Sequence, residues 1–480
     1  MSAVPTSSTA TAATAAVTAT TAAVNAAIAA KGANGANGAN GANAARPSRA
    51  RRAETYHFKP HNVGRWLIWS LYAVALIVAP LMWTSSLAQT MLSQMGIAII
   101  ACLSYNLLLG QGGMLSFGHA VYSGLGAYLA IHTLNMVGGG QLALPVSLVP
   151  VVGGFAGLFF AALFGYVSTK KSGTPFAMIT LGLGELIWSM SLMLPEFFGG
   201  EGGISSNRVV GKGLMGITFG PQIQVYYLIA VYCFVCTALL YAFTRTPLGR
   251  MLNAVRDNPE RVEFIGYDTQ WVRFLAFLIA GFFAGVSGGL SALNFEIVTA
   301  EVVGAARSGA YLLFTFLGGA TFFFGPIIGA VLMVVALVLL SELTKAWLLY
   351  LGLVFLFMVM YAPGGIASLI MMNLRLAAFG KLRALWPSYL GLAGAALTVL
   401  VGGSTMVEML YHLQLNEALG PKMHYLGVAL DARSVDSWFG AGFVLLTGIG
   451  LFEVVRRQFR REWDQAQEEI EKEIKRRESL

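Results

Sequence analysis

Apolar stretches recur along the chain at a length that suits membrane-spanning helices. About 20 residues of helix cross the hydrocarbon core of a bilayer. Barrel strands are only about half that length, so helices are the structure that satisfies the backbone polar groups of these stretches. The pattern predicts spans at about residues 66–83, 91–109, 116–136, 144–168, 175–195, 223–243, 273–293, 308–323, 326–344, 346–362, 387–404 and 438–455.

Composition supports a membrane protein. Of 480 residues, 56% are hydrophobic and 11% are charged, whereas soluble domains average about 25% charged residues. The predicted fold class is all-α, a polytopic transmembrane helical bundle. We expect about ten core spans within a domain at 61–374, followed by an additional span pair at 375–455 with an extracytoplasmic loop between its helices. The span at 308–323 is short and glycine-rich, which also suits a re-entrant segment.

The net charge of +8 does not indicate nucleic-acid binding, because the basic residues cluster at the ends of apolar spans. Even numbers of spans separate five basic segments from one another. The positive-inside rule therefore places all five in the cytoplasm, together with both chain termini. These segments are Arg46–Arg65, Lys170–Lys171, Arg245–Arg273, Arg375–Arg383 and Arg456–Arg461.

The two ends of the chain differ from the core. Residues 1–60 begin with an Ala/Thr/Gly/Asn-rich stretch that cannot bury a core, so a disordered cytoplasmic tail is predicted. An organelle transit peptide is the alternative. Residues 456–480 are predicted to form a charged amphipathic cytoplasmic helix, which is either solvated, bound to the membrane surface or docked to a partner. Its apolar stripe comprises Phe452, Val455, Phe459, Trp463, Ala466, Ile470 and Ile474.

Motifs for catalysis are absent from the sequence. There is no GxxxxGK[ST] loop for ATP, no HExxH pair and no clustered set of Cys and His ligands. Cys233 and Cys236 form a CxxC inside an apolar run, where we interpret them as packing residues. The chain is therefore predicted to be no enzyme and to hold neither a metal nor a cofactor of its own.

The longest charged segment inside the helical core is Leu248–Asp268. Asn258 is a good N-cap, Pro259 suits a first helical turn, and Gly266 suits a left-handed C-cap. These residues predict a short surface helix between two spans. An ordinary cytoplasmic connector and a docking element for a partner are both consistent with it.

Seven segments follow one another in a collinear series, namely GQGGMLSFGHAVYSGLGAY (110–128), TPFAMITLGLGELI (174–187), FFGGEGGIS (197–205), NAVRDNPERVEFIGYD (253–268), LAFLIAGFFAGVSGGLSA (275–292), FLGGATFFFGPIIGA (316–330) and YAPGGI (361–366). Together they resemble the LivM-type permeases of branched-chain amino acid ABC importers. The similarity covers about Leu87–Ile370, and each segment taken alone is a weak match.

This resemblance implies a permease of the bacterial inner membrane that works with separate partners. Two ATP-binding subunits would use the ATP, a second related permease would complete a heterodimer, and a soluble binding protein would deliver solute to Phe197–Ser205 and Asn294–Arg307. Branched-chain amino acids are the expected solute, and urea or a short amide is the alternative. The implied coupling loop to the ATPase comprises Arg256, Asn258, Glu260, Glu263 and Gly266, of which Glu260 and Gly266 keep the EAAxxxG spacing.

Glycines in the spans are expected to allow close helix packing, which holds helices together where lipid surrounds them. Two ladders carry this prediction, Gly281–Gly285–Gly289 and Gly325–Gly329. The glycines at 110–126 are too dense for one packing face. We therefore predict that residues 112–119 are broken, non-helical backbone beside a solute pathway.

Four polar residues are candidates for this pathway, namely Ser116, His119, Thr180 and Glu185. A satisfied histidine between helices is the alternative interpretation of His119. Glu185 lies in mid-span, where an acid is costly and is by default a functional candidate. The alternatives are a buried, hydrogen-bonded acid that only positions helices, and a protonated acid.

Two further classes of protein compete with the importer. An ion-coupled secondary transporter is also a glycine-rich bundle, but it needs no cytoplasmic docking helix and usually shows an internal repeat, which we do not find. A membrane-embedded enzyme would need polar residues clustered at one depth, and the sequence shows none.

Overall fold

The computed structural model describes residues 63–210, 218–362, 364–415 and 420–478. The tail predicted at 1–60 lies outside these residues. The chain divides into two units, Met1–Trp66 and Leu67–Leu480, and every contact discussed below lies within the second unit.

The described residues are mainly helical. The helices are α1 (Val63–Met82), α2 (Ser86–Asn106), α3 (His119–Gly138), α4 (Val149–Ser168), α5 (Thr174–Met193), α6 (Pro195–Phe198), α7 (Gln222–Arg245), α8 (Pro247–Asp257), α9 (Pro259–Phe264), α10 (Thr269–Phe295), α11 (Ala305–Gly318), α12 (Gly325–Val335), α13 (Ser341–Leu343), α14 (Trp347–Tyr361), α15 (Gly365–Ala378), α16 (Leu382–Leu415) and α17 (Val435–Glu478). Two antiparallel strand pairs complete the fold, β1 (Ile204–Ser205) with β2 (Ile297–Val298) and β3 (Lys422–Tyr425) with β4 (Val428–Asp431).

Each predicted span coincides with a helix, which confirms the polytopic all-α class. Among the described residues, eight helices are long and apolar enough to cross a membrane, and a ninth is added if α14 and α15, bent by 50°, count as one span. The sequence pattern did not predict α15. Helix α11 has only 14 residues, about 21 Å of helix against about 30 Å of hydrocarbon. Its re-entrant character stays a prediction.

Helix α10 lies at the centre of the packing and contacts α2, α3 and α4. The core around these helices is filled by large side chains with almost no solvent exposure, because apolar and aromatic residues point inward from several helices at once. The largest of them are Tyr105, Tyr122, Tyr128, Phe176, Phe277 and Phe314.

The structure places the first glycine ladder at the crossing of α10 with α4. A β-carbon added at Gly281 would lie 2.3 Å from Cβ of Ala161, and one at Gly289 would lie 2.7 Å from Cα of Pro150. The second ladder lies where α12 folds back on α11. A β-carbon at Gly329 would lie 1.9 Å from the carbonyl oxygen of Phe314, and one at Gly325 would lie 1.9 Å from a carbonyl oxygen at the end of α11. Both crossings bring the two backbones close together.

The C-terminal helices α16 and α17 pack against each other along their length. Helix α17 continues without a break from Val435 to Glu478, so the charged segment is an extension of the last span. Its apolar stripe packs within the chain against Leu376, Leu385 and their neighbours. Lys381 also forms an ion pair with Glu469, and the Ser388 hydroxyl donates to Glu462. This face of the helix is therefore occupied by its own chain.

Candidate functional site

The helix that begins at Ser86 is interrupted at the stretch richest in glycine. Residues Leu107–Gln111 form a π-helical turn, and the chain then runs without helix until α3 begins at His119. Gly113 has a φ of +64°, a conformation that glycine adopts without steric cost. The broken backbone predicted at 112–119 is confirmed as far as Gly118, but His119 is the first residue of α3. We call Leu107–Gly118 the interrupted segment.

Side chains from α2, α5 and α11 supply hydrogen bonds to the backbone in and next to this segment. The Tyr105 hydroxyl donates to the carbonyl of Ser116 at 2.9 Å, and the amide of Phe117 donates to Oγ1 of Thr180 at 3.1 Å. The amide of Ala120 donates to Oγ of Ser308 at 2.9 Å. Unpaired backbone groups are costly away from water, so these three helices fix the position of the segment. Thr180 is thus bound to the interrupted segment.

His119 is fully buried at the start of α3 and hydrogen-bonded on one side of its ring. Its Nε2 lies 2.8 Å from Oγ of Ser104, whose hydroxyl donates to the carbonyl of Ala280 at 2.8 Å. A serine hydroxyl has one hydrogen, so the histidine Nε2–H is the donor and Nδ1 of the neutral ring is an acceptor. Among the described residues, neither Nδ1 of His119 nor Oγ of Ser116 has a hydrogen-bond partner.

Glu185 lies on an exposed face of α5, away from the other three candidates. Met178, Gly182, Glu185, Ser189 and Met193 recur at spacings of three or four residues and are all exposed, so they share one side of the helix. Within the described residues, Glu185 has no hydrogen-bond or ionic partner. Within this chain Glu185 is therefore neither buried nor hydrogen-bonded.

The opposite side of α5 packs on the interrupted segment. Thr180 and Gly184 are buried there, and a β-carbon at Gly118 would lie 2.1 Å from the carbonyl oxygen of Thr180. The structure therefore brings Ser116, His119 and Thr180 together along one segment. It leaves Glu185 on the far side of the same helix.

The cytoplasmic segment predicted from the sequence consists of α8, α9 and their caps. The amide of Arg261 donates to the Asn258 side chain at 3.1 Å, Pro259 opens α9, and Gly266 has a φ of +89°. The predicted N-cap and left-handed C-cap are confirmed. Glu263 accepts a 2.8 Å hydrogen bond from Thr269 of α10, which ties the two helices together.

Large apolar side chains extend into solvent at the end of α9. Phe264 is 87% exposed, Ile265 66% and Tyr267 52%. We call these three residues the apolar tip. The family resemblance pointed to Glu260, which is exposed, and did not include the apolar tip. Three bulky apolar residues within a charged loop were the signal that could have found it.

The structure pairs the two loops that the family resemblance connects with solute delivery, Phe197–Ser205 and Asn294–Arg307. Strands β1 and β2 join them, with Ile204 opposite Val298 and Ser205 opposite Ile297. The Arg208 backbone amide donates to the Glu296 carboxylate at 2.8 Å, and its guanidinium donates to the carbonyls of Phe219 and Asn294. The two loops therefore form one hydrogen-bonded unit.

A helical bundle with an interrupted helix and a capped segment between two spans is the architecture expected of a membrane transport permease. Residues 87–363, more than half of the chain, match the family model for the permease component of branched-chain amino acid transport systems. The chain belongs to this family. Membership implies partners that hydrolyse ATP and bind solute.

Individual relatives agree with the family. The chain is 27% identical over 319 residues to LivM of Escherichia coli K12, a permease protein of a high-affinity branched-chain amino acid transport system, across 61% of this chain and 73% of the relative. LivM of Salmonella typhimurium LT2 is 28% identical with the same coverage. A probable LivH permease protein of Methanocaldococcus jannaschii is 26% identical over 187 residues, 38% of this chain and 59% of the relative. No solved structure matches the chain significantly.

Proposed function

We propose that this chain forms one half of an ATP-driven import pathway for branched-chain amino acids. The observation that carries the proposal is the apolar tip. Phe264 is 87% exposed and lies at the end of a capped helix between two spans. Exposed apolar clusters of this kind mark protein interfaces. Here the partner would be an ATP-binding subunit, and the chain itself would use no cofactor and carry out no catalysis.

The complete transporter would contain two such ATP-binding subunits and a second, related permease in a heterodimer. A soluble binding protein would deliver solute to the loops joined by β1 and β2. In this transporter α8, α9 and both termini would lie in the cytoplasm, and these loops would lie outside a bacterial inner membrane. The basic residues at the span ends support this orientation.

The solute would pass beside the interrupted segment. The N-terminal end of α3 carries the positive end of the helix dipole, and Ser116 and His119 each retain an unpaired polar atom there. Discontinuous helices of this kind hold solutes in other membrane transporters. The helix end would favour the carboxylate of the solute, and Oγ of Ser116 and Nδ1 of His119 could accept hydrogen bonds from its amino group.

Reconstitution tests the proposal. Vesicles that hold this chain, its sister permease and both ATP-binding subunits are expected to take up radiolabelled leucine only when ATP and the binding protein are present. Uphill uptake by this chain alone would contradict the proposal and favour a secondary transporter. Uptake of urea instead of leucine would show that the proposed solute is wrong, but the chain would still belong to an ATP-driven importer.

Glu185 is expected to face water in the assembled transporter. A charged side chain in mid-membrane costs about 3 kcal/mol on insertion scales, so its exposed face of α5 should not contact lipid. In a chain whose native cysteines are replaced, Glu185→Cys and Ser189→Cys should react with a membrane-impermeant thiol reagent, because the reactive thiolate needs water. Glu185→Leu should lower leucine uptake about tenfold.

Leu163 provides the matched control, since it lies on α4 with 56% exposure and belongs to an all-apolar surface. Leu163→Cys should stay unlabelled because lipid surrounds it. Equal labelling at positions 163 and 185, or wild-type uptake by Glu185→Leu, would show that the α5 face does not line the pathway.

A further inference from the structure

The cytoplasmic segment reaches the interrupted segment through one side chain. Arg256 lies in the last turn of α8, and its Nη1 donates to the carbonyl oxygen of Gly110. The sequence resemblance assigned Arg256 to the ATPase surface. The structure instead gives its guanidinium a partner inside the chain, with 35% of the side-chain surface exposed.

The Gly110 carbonyl is available because the helix ends there. In a continued helix it would accept from an amide about four residues further on. The amide of Met114 instead donates to Leu108, and that of Gly113 donates to Leu109. The guanidinium therefore caps the C-terminal end of the helix, where a positive charge also interacts favourably with the helix dipole.

Neighbouring contacts hold Arg256 in this position. Its Nε and Nη2 both lie 2.9 Å from Oδ1 of Asp257, which leaves Nη1 directed at Gly110. Gly113 lies directly against the arginine stem, since a β-carbon there would be 2.7 Å from its Cγ. Leu252 and Val255, on the same side of α8, are buried in the core cluster that contains Leu107, Leu108 and Met114. Helix α8 and the end of the interrupted helix therefore pack as one body.

We propose that Arg256 is the positioning residue that transmits movement of the cytoplasmic helices to the solute pathway. This proposal rests on the proposed function, in which the ATP-binding subunits bind the apolar tip. Displacement of α8 would pull on Gly110, and the pull would reach Ser116 and His119 within nine residues of chain. The bonds from Tyr105, Thr180 and Ser308 would be the contacts that rearrange.

Substitution of Arg256 in the complete transporter tests this link. Arg256→Gln is expected to lower the maximal rate of leucine uptake about tenfold or more, because a charge-assisted hydrogen bond is lost. The KM for the solute, the binding of ATP-binding subunits and ATP hydrolysis should remain close to wild type. Arg256→Lys can still donate to Gly110 and should retain intermediate uptake. Arg250→Gln is the matched control, since Arg250 is an exposed residue of the same helix.

Labelling gives a second measurement that does not depend on the solute. With native cysteines replaced, Ser116→Cys should react with a water-soluble thiol reagent at a rate that changes when a non-hydrolysable ATP analogue is added. Adding Arg256→Gln should remove that change. If the wild-type complex fails to import leucine but still shows the change, the proposed solute is wrong and the link stands.

Three results would overturn the link. The first is wild-type uptake by Arg256→Gln. The second is loss of ATP-binding subunits from that variant, which would make Arg256 a docking contact. The third is an unaltered response to nucleotide in the labelled variant that carries both Ser116→Cys and Arg256→Gln. Size-exclusion profiles of Arg256→Gln and Arg256→Lys show whether either variant is misfolded. The lysine variant keeps the cap on the helix end and is therefore the folded reference.

Discussion

Gly285→Leu is expected to abolish the folded permease in the membrane. Gly285 lies where α10 crosses α4, and a β-carbon there would lie 2.2 Å from the carbonyl oxygen of Gly153 and 3.0 Å from Cα of Gly157. Both obstacles are backbone, so no side-chain rotation can relieve the clash. Overpacking costs about 1–3 kcal/mol even where side chains can move, and α10 contacts three other helices along its length. The measurement is the yield and melting temperature of monodisperse protein in detergent.

Gly352→Leu is the control for this prediction. Gly352 lies in α14 with no atom within 4 Å of an added β-carbon. The same substitution should therefore leave the yield and the melting temperature nearly unchanged. Equal behaviour of the two variants would show that the α4–α10 crossing does not depend on the absence of a side chain.

Phe264→Glu is expected to release the ATP-binding subunits and stop ATP-driven uptake. Burying a phenylalanine side chain at an interface is worth about 2–3 kcal/mol, or about 30- to 140-fold in affinity. A carboxylate at the same place adds a desolvation cost. Since 87% of Phe264 is exposed, its replacement should not disturb the fold. Co-purification of the ATP-binding subunits and leucine uptake in vesicles measure the effect.

Leu426→Glu is the matched control, because Leu426 is 67% exposed in the turn between β3 and β4. On the proposed topology this turn lies on the other side of the membrane. The control should retain its ATP-binding subunits. Retention by Phe264→Glu as well would mean that the apolar tip is not the docking surface.

Local features of the coupling segment could be predicted because they depend on neighbours in sequence. Asn258, Pro259 and Gly266 each have a preferred place at a helix end, and each occupies it. The break at Gly112 could be predicted for the same reason, because a dense run of glycines destabilises a continuous helix. The destination of Arg256 could not be predicted in this way, because Gly110 lies 146 residues earlier in the chain.

The orientation of a helix around its own axis was equally hidden. Thr180 and Glu185 are five residues apart in one apolar span. In the structure Thr180 binds the interrupted segment, and Glu185 lies on the exposed side. The weak amphipathicity of such a helix gives no indication of its inner face, since lipid and protein core are both apolar. The stripe on α17 was visible in the sequence, but its partners Leu376 and Leu385 were not.

The sequence by itself determined that this is a polytopic helical membrane protein of the branched-chain amino acid permease family, and it located the helix break and the long apolar helices other than α15. It could do so because backbone hydrogen bonds must be satisfied within each span, which makes length and apolarity sufficient. Only the tertiary structure decided which side chains replace the bonds missing at the break, which face of α5 carries an unpaired acid and what Arg256 contacts. Those choices depend on helices that are distant in sequence and adjacent in space.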